Sequence, residues 1–261
     1  MSHSDTSPRY WIIVTAAGVG SRMGAAIPKQ YLTLSGKTIL EHTLERLLCL
    51  PSVSGLLVAV SPTDNNWPQL PISSDPRITR VDGGAERSDS VLNALNTLAE
   101  QAHAEDWVLV HDAARPCITL SLIQTLCAEL AEDPVGGILA VPVSDTIKRV
   151  AVNGTIIATM DRRELWQAQT PQLFRYGLLR ASLASALASG QAITDEASAL
   201  EANGHPHRVV EGRADNIKIT RPEDLALAHT ILQQQEDTIG ESGMATMFTP
   251  SVPVTRLLLA E

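Results

Sequence analysis

The feature that most constrains this chain is a short apolar run that ends in a glycine loop. Trp11-Ile12-Ile13-Val14-Thr15 reads as a buried strand. It breaks at once into Ala16-Ala17-Gly18-Val19-Gly20-Ser21-Arg22-Met23-Gly24, and Ile27-Pro28-Lys29-Gln30 follows. Small residues in that position let backbone N–H groups approach an anion closely. Arg22 and Lys29 add two cations to the same loop. A strand that runs into such a loop points to a triphosphate site.

Two familiar phosphate motifs fail against it. The dinucleotide fingerprint G-x-G-x-x-G would need glycine where Met23 stands, and an acidic residue after the second strand, where Leu56–Val60 ends in Ser61-Pro62. A nicotinamide dehydrogenase is therefore disfavoured. Gly36-Lys37-Thr38 copies the tail of a P-loop, but the first glycine of that motif falls on Tyr31. The tripeptide reads better as a turn and a helix start, with Thr38 as the cap.

Short apolar runs alternate with helical patterns along the chain. Strands are expected at 11–15, 56–60, 107–111 and 137–141, and helices at 38–50, 88–100 and 119–131. The alternation predicts an α/β fold: a mostly parallel, Rossmann-like twisted sheet with helices on both faces. Ligands in such sheets bind outside the carboxyl ends of the strands, the edge where the glycine loop and Asp112 both fall. Between about 143 and 170 the pattern changes. Two β-rich runs, 147–152 and 155–159, flank Asn153-Gly154, a strong hairpin signal. A hairpin arm inserted in an α/β sheet has unpaired edges, which a second copy of the chain would cover. Helices are expected again at 176–189 and 195–203, strands at 207–210 and 216–220, and a last helix from Pro222 to about Gln235. Residues 1–235 thus read as one domain with an arm, and 236–261 as a flexible tail.

Composition narrows the class. With 261 residues, 44% hydrophobic and 3% aromatic, the chain can bury a full core of aliphatic residues. A net charge of −9 argues against a nucleic-acid binder, and an anionic substrate must be drawn by local cations. Cys49, Cys117 and Cys127 form no C-x-x-C pair and are read as reduced, buried thiols of a cytoplasmic protein. The run at Trp11 is too short to span a membrane. His205 and His207 are poorly spaced for a metal. Trp11, Trp107 and Trp166 are assigned to core or interface, and Trp67 to a loop.

The opening, A-A-G-x-G-x-R-M-(x)4-P-K-Q-Y from Ala16 to Tyr31, resembles the signature loop of the 2-C-methyl-D-erythritol 4-phosphate cytidylyltransferase family. The order continues with Val81–Val91 (V-D-G-G-A-E-R-S-D-S-V), Val110-His111-Asp112-Ala113-Ala114-Arg115-Pro116, Asp145-Thr146-Ile147-Lys148, Asp161-Arg162, Thr170-Pro171-Gln172, Thr194-Asp195-Glu196-Ala197 and Asn216-Ile217-Lys218. The resemblance covers about residues 10 to 232 and implies a nucleotidyltransferase: the phosphate of methylerythritol phosphate attacks the α-phosphate of CTP and pyrophosphate leaves. It also implies Mg²⁺ as cofactor and a homodimer joined through the arm. Such a reaction needs positioning and cations more than a side-chain nucleophile.

The resemblance carries roles to individual residues. Arg22 and Lys29 should stabilise the α-phosphate in the transition state and the leaving pyrophosphate; a solvated pair on a surface loop is the plain alternative. Arg162 and Lys218 should position methylerythritol phosphate, with Arg162 belonging to the partner's site if the arm swaps. Arg115 should support the same phosphate, or else form a structural pair with Asp112. Thr146 and Thr170 should give hydroxyl contacts to that substrate, or else stand as strand-edge residues, and Lys148 should face solvent on the arm. Ala16, Ala17, Gly18, Gly20, Gly84, Ala85 and Ser90 should bind the nucleotide, with Asp112 beside it as the candidate Mg²⁺ ligand. One familiar form of the motif has Asp where Ala85 stands; a backbone contact to the base survives that change and a side-chain contact does not. Two other readings remain open: a CTP-dependent transferase for another polyol phosphate such as ribitol 5-phosphate, and a non-catalytic nucleotide-binding module.

Overall fold

A computed structural model describes residues 9–18, 27–51 and 53–247 of the chain. Its strands are β1 (Tyr10–Thr15), β2 (Thr33–Leu34), β3 (Lys37–Thr38), β4 (Val53–Val60), β5 (Ile78–Asp82), β6 (Trp107–Asp112), β7 (Gly136–Pro142), β8 (Lys148–Val150), β9 (Ile156–Thr159), β10 (Trp166–Arg175) and β11 (Arg208–Glu211). Its helices are α1 (Ile39–Leu47), α2 (Arg87–Thr97), α3 (Leu120–Leu130), α4 (Tyr176–Ala188), α5 (Glu196–Ala202) and α6 (Glu223–Met247).

Seven strands form one sheet in the order β11-β7-β10-β6-β1-β4-β5. β1 lies parallel to β4 and β6, β4 to β5, and β7 to β11; β10 alone runs antiparallel to its neighbours. From β1 the chain moves outward to β4 and β5, then returns to lay β6 on the other side of β1. The strand order therefore reverses between β1 and β6, where the carboxyl ends part and open a crevice. Thr15 stands level with Asp112 across that gap.

The core forms because β1 is buried on both faces. Ile12 and Val14 join Leu40, Leu44, Leu109 and Ile123 under α1 and α3. Trp11 and Ile13 join Val91, Leu95, Phe174 and Leu183 under α2, α4 and α5. Each fully buried aliphatic side chain contributes about 1.5–3 kcal/mol relative to exposure. At the start of α1 the Thr38 hydroxyl accepts from Glu41 N at 3.2 Å, and a Glu41 carboxylate oxygen accepts from Thr38 N at 2.8 Å. That box is worth about 1 kcal/mol and confirms Thr38 as a cap.

β8 and β9 form the expected hairpin, turning at Gly154 with φ 85°. Val150, Val152, Ile156, Ile157, Met160 and Trp166 on or beside it are exposed.

Four expectations are corrected. Residues 216–220 form no strand: the segment is held largely by side chains, with backbone bonds from Asn216 N to Arg213 O at 3.1 Å and from Ile219 N to Ala114 O at 2.8 Å. α6 continues past Gln235 to Met247, taking in the first residues read as tail. Trp67 starts a short 3-10 helix and is buried against the core rather than standing in a loop. Cys49 is exposed, while Cys117 is buried; burial pushes the Cys117 thiol up to about 12. No helix among the described residues is long and apolar enough to cross a membrane.

Candidate active site

The crevice between β1 and β6 holds two cavities that share a wall. The larger, about 350 Å³, is lined by the turn after β1 (Ala16–Gly18), the turn after β5 (Gly84 to Arg87), and Lys29 and Ser90. The smaller, about 190 Å³, is lined by Arg115, Gln169, Thr170, Gln172, Thr194 and Asp195. Arg87, Asp112 and Lys218 line both.

Local packing explains the larger lobe. A side chain at Gly83 would put its Cβ 2.4 Å from Ala17 Cβ, so glycine is what lets the two turns close on each other. Gly84 N donates to Ser90 Oγ at 3.0 Å, and that hydroxyl donates to Glu86 O at 3.1 Å. Gln30 Nε2 donates to Ala16 O and Gly18 O at 2.7 and 3.1 Å, which holds the start of the glycine loop from beneath. Lys29 Nζ donates to Ile219 O at 2.9 Å and so ties that loop to the segment carrying Lys218.

Asp112, last in β6, is the centre of charge. Its Oδ2 lies 2.7 Å from Lys218 Nζ and 3.7 Å from Arg115 Nε; its Oδ1 accepts from Arg87 Nε at 3.0 Å. Burial by itself would raise this carboxyl, but Arg87, Lys218 and Arg115 outweigh it and hold the group far below the usual carboxylate range. Arg115 Nη1 donates to Asn216 O at 2.7 Å, whereas its buried Nε has no hydrogen-bond partner within the protein.

The second lobe is built by β10. Its ladder with β7 breaks between Ala168 and Gln172, and such a break re-aims side chains. Thr170 O then accepts from Asn216 Nδ2 at 2.9 Å. Thr170 Oγ1 accepts from Asp112 N at 3.1 Å, which leaves its own proton for His111 Nδ1 at 3.0 Å. His111 Nε2–H then donates to Arg115 O at 3.1 Å. Burial pushes His111 down to about 4, so it stands neutral and structural near pH 7.

The sequence candidates divide cleanly. Ala16, Ala17, Gly18, Lys29, Gly84, Ala85, Ser90, Asp112 and Lys218 meet at the larger lobe; Arg115 and Thr170 join Asp112 and Lys218 at the smaller. Thr170 acts as a clamp on Asp112 and His111 rather than as a spare hydroxyl. Thr146 and Arg162 are exposed and line neither lobe, because the arm carries them out from the sheet; Arg162 Nη1 donates to Ser144 O. Gly20 and Arg22 lie outside the described residues. Lys148 is exposed on the arm, as expected. Among the described residues no group of three His, Cys, Asp or Glu could hold a metal ion. Both oxygens of Asp112 face cations, so the donor set does not fit a metal held by the protein alone.

The model of the IspD family, 2-C-methyl-D-erythritol 4-phosphate cytidylyltransferase, matches residues 10–234. The chain belongs to this family. Among relatives of this IspD-family chain, the 2-C-methyl-D-erythritol 4-phosphate cytidylyltransferase of Pseudomonas fluorescens (strain Pf0-1) is 57% identical over 85% of the chain and 94% of its own length. The protein of the same name from Pseudomonas putida (strain GB-1) is 55% identical over the same shares. Among solved structures, a 4-diphosphocytidyl-2C-methyl-D-erythritol synthase superposes with TM-score 0.76 at 38% identity, covering 87% of this chain and all of the other. The Francisella tularensis IspD superposes with TM-score 0.74 at 38% identity, covering 85% of this chain and 99% of the other.

Two side chains of this IspD-family site carried no role in the sequence. Arg87 and Glu196 are 109 residues apart, yet they pair through two bonds of 2.6 and 3.0 Å beside Asp112. The only sequence signal was that each stands inside a motif.

Proposed function

We propose that this chain transfers the cytidylyl group of CTP to 2-C-methyl-D-erythritol 4-phosphate, giving 4-diphosphocytidyl-2-C-methyl-D-erythritol and pyrophosphate. The observation that carries the reading is the shared wall: two lobes meet at Asp112, Lys218 and Arg87, so two anionic ligands can touch there. CTP fits the larger lobe, with its base against Gly84, Ala85 and Ser90 and its phosphates toward Lys29. The methylerythritol phosphate fits the smaller lobe, with Arg115 and Lys218 on its phosphate. Arg115 Nε makes no hydrogen bond within the protein and stands 3.7 Å from Asp112 Oδ2, close enough to share the cation between carboxylate and phosphate.

In the step, an oxygen of the methylerythritol phosphate forms a bond to the α-phosphorus of CTP. The bond from that phosphorus to the α–β bridging oxygen breaks, and pyrophosphate leaves with the electron pair. The nucleophile is already ionised, so no side chain need remove a proton; neutral His111 and ionised Asp112 agree with that. Lys29 and Lys218 compensate the charge that builds on the α-phosphate, and preorganised donors of this kind are the main source of rate. If Mg²⁺ accompanies the nucleotide, Asp112 would be the protein carboxylate at the seam beside it, and the ion would supply neutralisation of the triphosphate charge.

The reading extends to a homodimer. Arg162 belongs to the reaction only if the arm delivers it to a second copy, and the exposed apolar residues of the arm support such a contact. The three unpaired cysteines favour a cytoplasmic setting. The test is pyrophosphate release by the purified protein with CTP, UTP or ATP against methylerythritol phosphate or ribitol 5-phosphate, with and without a chelator. Release confined to CTP, methylerythritol phosphate and free Mg²⁺ is expected; release with ribitol 5-phosphate alone would replace the substrate.

A further inference from the structure

The Arg87 guanidinium stands at the seam of the two lobes but is satisfied by protein alone. Nη1 and Nη2 donate to the two oxygens of Glu196 at 2.6 and 3.0 Å, and Nε donates to Asp112 Oδ1 at 3.0 Å. Three separate elements meet in this contact: Arg87 opens α2, Asp112 closes β6 and Glu196 opens α5. Glu196 is fully buried. A buried ion pair recovers little more than the cost of drying its charges, and apolar residues of the same volume pack about as well. Stability is therefore a poor reason for this pair to exist.

Geometry offers a better one. A planar guanidinium gripped at both terminal nitrogens has one orientation, and its Nε–H then points along a fixed line. That line ends on Oδ1 of Asp112. The other oxygen, Oδ2, faces Lys218 at 2.7 Å. The Lys218 ammonium has three N–H donors, and its charge serves an arriving phosphate fully only as it turns from Asp112 toward it. A carboxylate held on one side only would rotate after the departing ammonium and keep neutralising it.

We infer that Arg87, anchored by buried Glu196, is a positioning residue that locks Asp112 so that Lys218 can pass from the carboxylate to the phosphate of the second substrate. The inference rests on the proposed reaction. Arg87 itself touches neither reacting atom, and its effect is to keep the Lys218 charge available at the seam.

The test compares wild type with Glu196→Gln, Arg87→Lys and the charge-neutral pair Arg87→Gln/Glu196→Gln in full-length protein. It measures steady-state rates with CTP and methylerythritol phosphate, CTP affinity by calorimetry, and thermal midpoints. Glu196→Gln keeps the volume and should lower kcat about 10- to 100-fold, the scale of a small misplacement at a reacting centre. CTP affinity should stay within about threefold, since removing an interaction made only in the transition state lowers kcat rather than binding. Arg87→Lys should not rescue, because an ammonium reaches one carboxylate and cannot bridge two. If that variant does not fold, the charge-neutral pair decides, since it leaves no orphaned buried charge; it should fold and show the same loss of kcat. Wild-type kcat in a folded Arg87→Lys or charge-neutral protein would overturn the inference alone. A wild-type protein without turnover on CTP and methylerythritol phosphate would overturn the proposed reaction and this role together.

Discussion

Lys218 Nζ and Asp112 Oδ2 lie 2.7 Å apart, and this one ion pair forms part of the wall between the two lobes of the crevice. Asp112 keeps Arg87 and Arg115 if Lys218 is removed. Lys218 is more than a third exposed, so solvent screening limits its contribution to stability to less than about 1 kcal/mol. Lys218→Met should therefore fold normally while kcat with methylerythritol phosphate falls about 100- to 1000-fold, the usual cost of one missing transition-state donor. Steady-state kinetics beside a thermal melt check it; a fall in melting temperature with unchanged kcat would assign the residue to the scaffold.

His111 makes a pH prediction. Its folded pKa is depressed by burial to about 4, against about 6.5 in an unfolded chain. Between those values the unfolded state binds the extra proton, so stability rises with pH there and is lost as pH falls from about 6.5 toward 4. The full loss from this group is about 3 kcal/mol by linkage. His111→Gln should be less stable at pH 7 but show a flatter urea midpoint between pH 7 and pH 4.5 than wild type. Parallel curves for the two proteins would mean that other groups set the acid limb.

The arm predicts assembly. Val152 and Ile156 are exposed on the hairpin, and a charge placed there should oppose burial against a second copy. Ile156→Asp should sediment as a monomer where wild type sediments as a dimer, and its use of methylerythritol phosphate should fall with it if Arg162 comes from the partner. A mixture of Arg162→Ala and Lys218→Met proteins should then recover activity that neither has alone, because some sites would carry neither lesion. No recovery on mixing would place Arg162 in its own chain's site or outside the reaction.

Ser90 tests the base lobe. Its hydroxyl accepts from Gly84 N and shapes the turn that also carries Ala85. Ser90→Ala leaves that N–H without its acceptor, a loss of about 1 kcal/mol, or roughly fivefold, in CTP affinity. kcat at saturating CTP should change little; a loss confined to kcat would put Ser90 on the phosphate side.

Much of this architecture was legible from residue patterns. β1 and β6 are apolar on both faces and bounded by turns, and Thr38 announces its helix by capping. β10 was not legible. Gln169, Thr170 and Gln172 are polar and lack a buried strand's apolar run, yet they are buried, because Arg213 O, His111 and Asp195 satisfy them from elsewhere in the chain. Residues 216–220 misled in the other direction: Ile217 and Ile219 alternate like a strand, yet Asn216 and Lys218 are drawn to Thr170 and Asp112 instead of into a ladder. The loop residues of the site follow from motif order, but the Arg87–Glu196 pair depends on the fold bringing the starts of α2 and α5 within side-chain reach beside Asp112, which no local pattern encodes.

In the proposed reaction the phosphate of the second substrate attacks the α-phosphorus at the Asp112–Lys218 seam. The most direct measurement supplies methylerythritol phosphate carrying ¹⁸O in its phosphate with unlabelled CTP, and follows the products by ³¹P NMR and mass spectrometry. All the label should stay in 4-diphosphocytidyl-2-C-methyl-D-erythritol, part of it in the new diphosphate bridge, and none should enter pyrophosphate. Label in pyrophosphate, or a product formed without a labelled bridge, would contradict it.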